Sequence, residues 1–411
     1  MSKIYKLRGY ETRLANRDRR SGMDVKVFSI KIDSSSLSEQ KLGTIEQFFR
    51  EAKWIYNRLL DNNLKFDAKS KSVDVKAFNP ITQKCDISEN RPLTITAQMK
   101  QAIVKRTIQN AQNLSRAKAK GRKIGRLKFA SEVNSIPLKQ ADVTYRITLK
   151  FVKIQGIGRL KANGMEQVLG KELANATLVR RPSGYYLLVT TYVPKDAREK
   201  SGDIGLDFGI KDSITLSDGR KFNFQEPIPA SLRRQQRDFA RKKKGSINRA
   251  KSSLKVRRSH ERLSNRKDDL ANKFVSSLKG YERIYFQEEN IVGWKNRFGA
   301  KVQNGVLGRI KTRLKRLETA KMLDRFLPTT KFSPVSYINV ETPLSSRLFR
   351  DGDFVMDRDV KAAKTVLCFG RFNPKITRKE LMGLPVEHLT SMFASFGECK
   401  LGALKQEATA L

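Results

Sequence analysis

Cysteine and histidine are nearly absent from the 411 residues: Cys85, Cys368 and Cys399 stand far apart, and His260 and His388 are the only histidines. Three separated cysteines make neither a disulfide framework nor a CxxC-type zinc site, and two histidines supply little for imidazole catalysis. No run approaches the roughly 18–20 apolar residues of a membrane span, and Met1 to Arg20 is basic without an apolar stretch or cleavage signal, so neither membrane insertion nor secretion is expected. No internal repeat marks a solenoid. Acidic residues are also few, since 41 Asp and Glu against 84 Lys and Arg leave a formal net charge of +43. That excess goes far beyond what solubility requires and points to a polyanionic partner. Chemistry in such a chain falls to carboxylates, with a divalent metal held by oxygen ligands.

What is present suffices for real cores, with 39% hydrophobic residues over a length that allows two or three modules. Residues 1–24 carry five arginines, Lys3 and Lys6 with little apolar periodicity and read as a flexible basic arm. Alternation from Val25 to Ile32 predicts a strand. Leu42, Ile45, Phe48, Phe49, Ala52, Ile55, Tyr56 and Leu59 then recur at helical spacing up to about Asn63. Residues 64–92 read as loop-rich or weakly helical. A second helix follows from about Thr94 to Lys118, built on Ile95, Met99, Ile103 and Ile108. Short alternating runs at 146–152, 167–169, 177–181 and 185–192 predict a small antiparallel barrel, interrupted by the helical insertion. The polar stretch Pro194–Gly202 reads as a linker to a different module.

After the linker, Ile204, Leu206, Phe208 and Ile210 share one face of an extended segment, whereas Gly205, Asp207 and Gly209 share the other. The glycines clear space beside one carboxylate, which is costly to bury unless it is paired or on a metal. Asp218-Gly219 supplies a hairpin turn. Between Arg233 and Lys267 lie fifteen Lys and Arg against Asp238 and Glu261, on a helix pair turning near Lys244-Gly245-Ser246. A merely solvated face would be mixed in sign, so Arg241, Lys242, Lys243, Lys244, Lys251, Arg257 and Arg258 are candidate phosphate contacts. Arg283 to Ile291 is a short apolar strand that ends in Glu288 and Glu289, and Asp357 and Asp359 immediately precede a helical run. Carboxylates delivered by separate strand and helix ends suit a two-metal phosphodiesterase site, with ions roughly 3.5–4 Å apart.

The motif order Gly-Leu-Asp-Phe-Gly-Ile-Lys-Asp (205–212), Ala-Arg-Lys-Lys-Lys-Gly-Ser (240–246), Tyr-Glu-Arg-Ile-Tyr-Phe-Gln-Glu-Glu-Asn-Ile (281–291), Phe-Leu-Pro-Thr-Thr-Lys (326–331) and Asp-Arg-Asp-Val-Lys-Ala-Ala (357–363) resembles the TnpB family of transposon-encoded nucleases, relatives of the type V CRISPR effectors. Ala52 to Leu60 and Lys120 to Arg126 are also similar to its amino-terminal half, and the resemblance runs from about residue 25 to 370. It implies an α+β, multidomain chain: the basic arm (1–24), a wedge-type antiparallel β-barrel (25–37 and 125–195), a helical recognition domain (38–124), an RNase H-like RuvC nuclease domain (201–370) holding a degenerate zinc-ribbon-like insertion (328–354), and a carboxy-terminal tail (371–411). The activity implied is RNA-guided DNA cleavage, with a guide RNA and target double-stranded DNA as partners, two Mg²⁺ ions, no zinc and a prokaryotic cytoplasmic setting at the nucleoid. A nuclease-dead, RNA-guided DNA-binding repressor is the alternative. Guide sequence, adjacent DNA motif and oligomeric state are not legible in these motifs.

By the resemblance, the first and third catalytic and metal-binding carboxylates are Asp207 and Asp359, with Asp357 a neighbour. The family usually has Glu where this chain has Gln287, so the second falls to Glu288 or Glu289. Alternation along the strand puts Glu289 on the face of Gln287 and favours it. Lys361 stands where the family usually has Asn. Ser333 and Ser336, with Phe349 and Gly352, stand where it usually has four zinc-ligating cysteines, and hydroxyls are poor zinc ligands.

Overall fold

The computed structural model describes residues 2–79, 84–195, 199–343 and 345–396, so Cys399 and residues 397–411 of the expected tail lie outside the described residues. The chain divides into two compact units, Met1–Ala197 and Arg198–Leu411. Among the described residues no helix is long and apolar enough to cross a membrane.

The first unit comprises α1 (Ser2–Ser21), β1 (Met23–Ile32), α2 (Glu39–Asp61), β2 (Ser72–Asn79), β3 (Lys84–Pro92), α3 (Ala97–Ala119), β4 (Ser135–Leu138), β5 (Tyr145–Ile147), β6 (Val152–Ile154), β7 (Gly158–Leu160), β8 (Ala162–Asn163), β9 (Glu172–Arg181) and β10 (Gly184–Pro194). Its main sheet has the order β4-β9-β10-β1-β8, and β5, β6 and β7 form a second one. The helical spacing buries Ile45, Phe48, Phe49, Ala52, Ile55 and Leu59 of α2, with Met99 and Ile103 of α3, in one core with Ile30, Ile136, Leu178 and Leu187 of the sheet, whereas Leu42, counted in the same stripe, is exposed. Glu51 is fully buried, yet it accepts from the amides of Thr94 and Ile95 at 2.8 and 2.7 Å and so ties α2 to the start of α3.

Four expectations for this unit change. Among the described residues the sheet is open, not a closed barrel: the edge strand β8 is two residues long and pairs there only with β1, which leaves β4 no described strand to close upon. The strand expected at 167–169 is replaced by a turn of 3₁₀-helix at Met165–Gln167 that follows left-handed Gly164. Residues 64–92 hold the β2–β3 hairpin, whose strands pair from Ser72↔Pro92 inward. The basic arm is helical, and Arg19 and Arg20 at its end both ion-pair with Glu172 of β9.

The second unit comprises β11 (Asp203–Phe208), β12 (Ile214–Leu216), β13 (Lys221–Phe222), α4 (Ala230–Arg241), α5 (Ile247–Ser277), β14 (Arg283–Gln287), α6 (Ile291–Asn304), α7 (Leu307–Leu314), β15 (Ala320–Leu323), β16 (Leu348–Asp351), β17 (Phe354–Asp357), α8 (Arg358–Phe372), α9 (Arg378–Met382) and α10 (Val386–Phe393). The sheet order is β13-β12-β11-β14-β15, with β12 antiparallel and β14 parallel to β11, and β15 parallel to β14. Two faces of β11 and β14 serve two cores. Ile204, Leu206, Phe208, Ile284 and Phe286 pack with Ala271, Phe274 and Val275 of α5 and with Ile310 and Leu314 of α7. Tyr285 joins Val366, Leu367 and Phe369 of α8 on the opposite face. Residues 373–396 are not a free tail: Ile376, Leu381, Leu389, Met392 and Phe393 are buried in that same core.

Helix α8 lies almost directly on β11. A Cβ at Gly205 would stand 2.2 Å from the Ala363 carbonyl oxygen and 2.9 Å from Leu367, whereas one at Gly308 in α7 would meet nothing within 4 Å. Gly205→Ala should therefore destabilise the protein by ~2–3 kcal/mol, and Gly308→Ala should stabilise it by up to ~1 kcal/mol, in guanidinium titrations. Equal midpoints for the two variants would show that α8 does not seat on this strand.

Candidate active site

The close seating of α8 brings three carboxylates toward one place. Asp207 leaves β11 on the α8 side, the face cleared by Gly205. On α8, Asp357 is the N-cap, and its side chain accepts from the amides of Asp359 and Val360 at 3.0 Å each while Lys221 Nζ donates to it at 2.7 Å. Burial would raise the Asp357 pKa, but the Lys221 hydrogen bond and the Val360 amide outweigh it and hold the group below the usual carboxylate range. The first aspartate of the Asp-Arg-Asp motif is thus spent on starting the helix, and the second, Asp359, sits in the first turn within 3.3 Å of Arg347 and 3.5 Å of Arg358.

The third carboxylate comes from just beyond β14. That strand ends at Gln287, and Glu288 and Glu289 diverge in the residues that follow. Glu288 turns to Lys315 at 3.4 Å and Lys311 at 3.9 Å, whereas the Glu289 charge is felt at Asp207. Burial raises the Asp207 pKa well above the ordinary value, the charges of Asp359 and Glu289 raise it further, and Arg358 and Lys361 offset part of this. Burial likewise pushes Glu289 up to about 7, against the pull of Lys311 and Arg325.

Sequence reasoning singled out Lys361 as a departure but missed its place beside this cluster. Its ammonium is fully buried, donates to the carbonyls of Thr329 and Thr330 at 3.2 and 2.9 Å, and lies 4.0 Å from the centre of the Phe349 ring. Burial draws its pKa down to about 7, with Asp207 opposing. Lys221 and Arg347 were missed too; they are brought in by pairing and loop geometry and leave no local signal.

Three oxygen-donor groups, one of them half-buried and acted on by two like charges, have the donor chemistry of a hard divalent cation site. Among the described residues, however, no group of three or more His, Cys, Asp or Glu side chains is arranged close enough to hold a metal as it stands. Ser333 and Ser336, at positions where the resembled family usually has zinc-ligating cysteines, donate to one oxygen of Asp351 at 2.5 and 2.6 Å.

The candidate phosphate contacts lie elsewhere in this unit. Arg241 ends α4, Lys242, Lys243 and Lys244 form the turn, and Lys251, Arg257 and Arg258 follow on α5, which packs on the sheet face opposite Asp207. Left-handed Gly245 and the N-cap Ser246 make the turn, and Arg249 locks it by donating to the carbonyls of Phe239 and Lys242. Arg241, Lys243, Lys244, Lys251 and Arg257 are exposed, while Lys242 pairs with Asp238 at 3.2 Å.

Comparison with known proteins finds three similarities. Residues 186–283 match a family model described as "Probable transposase". A curated protein of Streptomyces pristinaespiralis, named "Putative RNA-guided DNA endonuclease", is 30% identical over 224 residues, covering 49% of this chain; the chain spans about half, 54%, of that relative's length. Among solved structures, the cryo-electron-microscopy structure of the Cas12f1–sgRNA–target DNA complex is similar with a TM-score of 0.46 at 11% identity, over 84% of this chain and 99% of that one.

The raised carboxyl groups set a sign for stability against pH. Without a divalent cation the folded protein keeps a proton on Glu289 up to about pH 7, whereas the unfolded chain loses it near 4.5. That contribution is fully present below the lower value and is lost as pH rises through the higher one, and Asp207 adds to it in the same direction. In EDTA, the melting temperature of Glu289→Gln should fall less between those two pH values than that of the wild type. Superimposable pH profiles would refute the burial of Glu289.

Proposed function

We propose that this TnpB-like protein is an RNA-guided DNA endonuclease, in which a guide RNA directs Mg²⁺-dependent cleavage of double-stranded DNA beside a short motif read by the protein, within the prokaryotic cytoplasm. The observation that carries the reading is that the charges of Asp359, in a helix's first turn, and Glu289, just past a strand end, both act on Asp207 of the central strand, in a chain whose net charge is +43. The α/β/α layering of the second unit, with three antiparallel strands extended by two parallel ones, supports an RNase H-like RuvC domain. The open sheet and helices of the first unit take the wedge and recognition roles in this reading.

Asp207, Glu289 and Asp359 would hold the two Mg²⁺ ions, which supply a bound water as nucleophile and stabilise the leaving oxygen. Asp357, capped by Lys221, fixes the helix turn from which Asp359 projects. Glu288, engaged with Lys311 and Lys315, holds the connection that follows β14. The Ser333–Asp351–Ser336 cluster supports a remnant ribbon that folds without zinc. Base pairing supplies sequence specificity, and the basic helix pair engages phosphates without reading bases.

A second reading, the nuclease-dead RNA-guided DNA-binding repressor, is favoured by the absence of a ready metal cage among the described residues and by the amide of Gln287 one position past the last Leu206↔Phe286 pair. The two readings part in one experiment. Purified ribonucleoprotein should cut plasmid DNA matched to its co-purified RNA in Mg²⁺ and not in EDTA. Asp207→Ala or Asp359→Ala should lower cleavage at least about a thousandfold while guided binding stays nearly intact. Tight guided binding without wild-type cleavage would establish the repressor, and cleavage that survives Asp207→Ala would sink the RuvC assignment.

For the basic surface, the exposed side chains give the test. Replacing Arg241, Lys243 and Lys244 by Gln should lower the slope of log K against log salt by up to about 0.9 for each phosphate that is no longer neutralised. An unchanged slope in filter binding would mean that the turn is only solvated.

A further inference from the structure

Gln287 and Lys361 both occupy positions where the resemblance leads one to expect another side chain, and the structure joins them through a single loop. Gln287 is buried, and its amide is fully engaged. Its Oε1 accepts from Thr329 Oγ1 at 2.8 Å, and its Nε2 donates to the carbonyls of Leu327 at 2.7 Å and Asp324 at 3.1 Å. From the other side Lys361 donates to the carbonyls of Thr329 and Thr330 at 3.2 and 2.9 Å. Glu289 lies two residues beyond Gln287, and Asp359 lies two residues before Lys361 on α8. The loop from 324 to 330 is therefore clamped between the strand end that presents one carboxylate and the helix turn that presents another.

The partners dictate the chemistry of position 287. Two carbonyl oxygens require two donors and one hydroxyl requires an acceptor, which an amide supplies in full. A carboxylate supplies no donor, so it would set lone pairs against the two carbonyls in a buried place, at a cost that solvent cannot relieve. Thr329 is itself buried and serves both sides, its hydroxyl to Gln287 and its carbonyl to Lys361.

We propose, on the nuclease reading above, that Gln287, Thr329 and Lys361 form one buried positioning unit that fixes the strand end carrying Glu289 against the helix turn carrying Asp359, and that Gln287 is a required amide and not a lapsed catalytic acid. All three are buried and hydrogen-bonded to the 324–330 loop or to one another, so none is assigned a contact with the scissile phosphate. They act by holding backbone in place, so their loss falls on the rate of cutting, with capture of the target spared.

The experiment uses the ribonucleoprotein with its co-purified RNA and a matched plasmid, and compares Gln287→Glu, Thr329→Val and Thr329→Ser with the wild type. Gln287→Glu, which supplies the residue type the family usually carries, should slow single-turnover cleavage at least about tenfold and lower the melting temperature by several degrees. Thr329→Val should slow cleavage about tenfold while the Kd for target DNA in EDTA changes less than about twofold, and Thr329→Ser, which keeps the hydroxyl, should remain within about twofold of wild type in both. Cleavage by Gln287→Glu at or above the wild-type rate would make 287 an acid position and overturn the proposal. So would Thr329→Val and Thr329→Ser behaving alike. If the wild type binds its target but does not cut, the nuclease reading and the positioning role fall together, and a Gln287→Glu melting temperature equal to that of the wild type would then remove the hydrogen-bonded unit as well.

Discussion

The direct contact between α8 and β11 is the constraint on which the second unit depends. With no side chain at Gly205, the carbonyl of Ala363 can approach the strand, and the helix axis is fixed by backbone contact before any side chain is considered. From that seating follows the place of the helix's first turn, which Asp357 caps, and so the place of Asp359 relative to Asp207. The electrostatic strain among the carboxylates is a consequence of this seating. Acids that would repel one another in solution are carried together by elements whose apolar faces are already buried on both sides of the sheet.

Several acidic groups elsewhere in this basic chain have cationic or amide partners. Asp268 lies between Arg309 and Arg313, Glu172 between Arg19 and Arg20, and Glu51 against two backbone amides. Each has its charge matched where it sits. The Asp207 surroundings differ in kind, because two of the charges that act on it have its own sign, and that contrast marks the site more sharply than any single residue does.

Much of the second unit was legible locally. The Gly-Asp-Gly alternation of β11, the Asp218-Gly219 turn and the helix break near Gly245 each follow from patterns within ten residues, and the structure has a strand, a left-handed glycine and a helix pair at those places. Strand alternation alone cannot separate Glu289 from Glu288, because β14 ends at Gln287, one residue before the pair begins. What was not legible depends on distant partners. Whether a sheet closes is decided by the length of its edge strands, here the two residues of β8, and α1 is secured by Glu172, about 150 residues away. Gln287 is explained only by carbonyls 37 and 40 residues later in the chain. The hairpin at 72–92 was missed although Ser72 to Ala77 alternates polar and apolar residues; the polar run from Ser88 to Arg91 hides its partner strand.

The cluster of Ser333, Ser336 and Asp351 links the loop after β15 to the β16–β17 hairpin through two hydroxyls and a carboxylate. A cross-link of this kind assembles from the chain alone. It is made of hydroxyl and carboxylate oxygens, with no thiol among them to be kept reduced, and so is not open to the oxidation that dismantles a thiolate-held metal. Its weakness lies at the other end of the scale, in acid, where protonation of the one carboxylate would release both serines together.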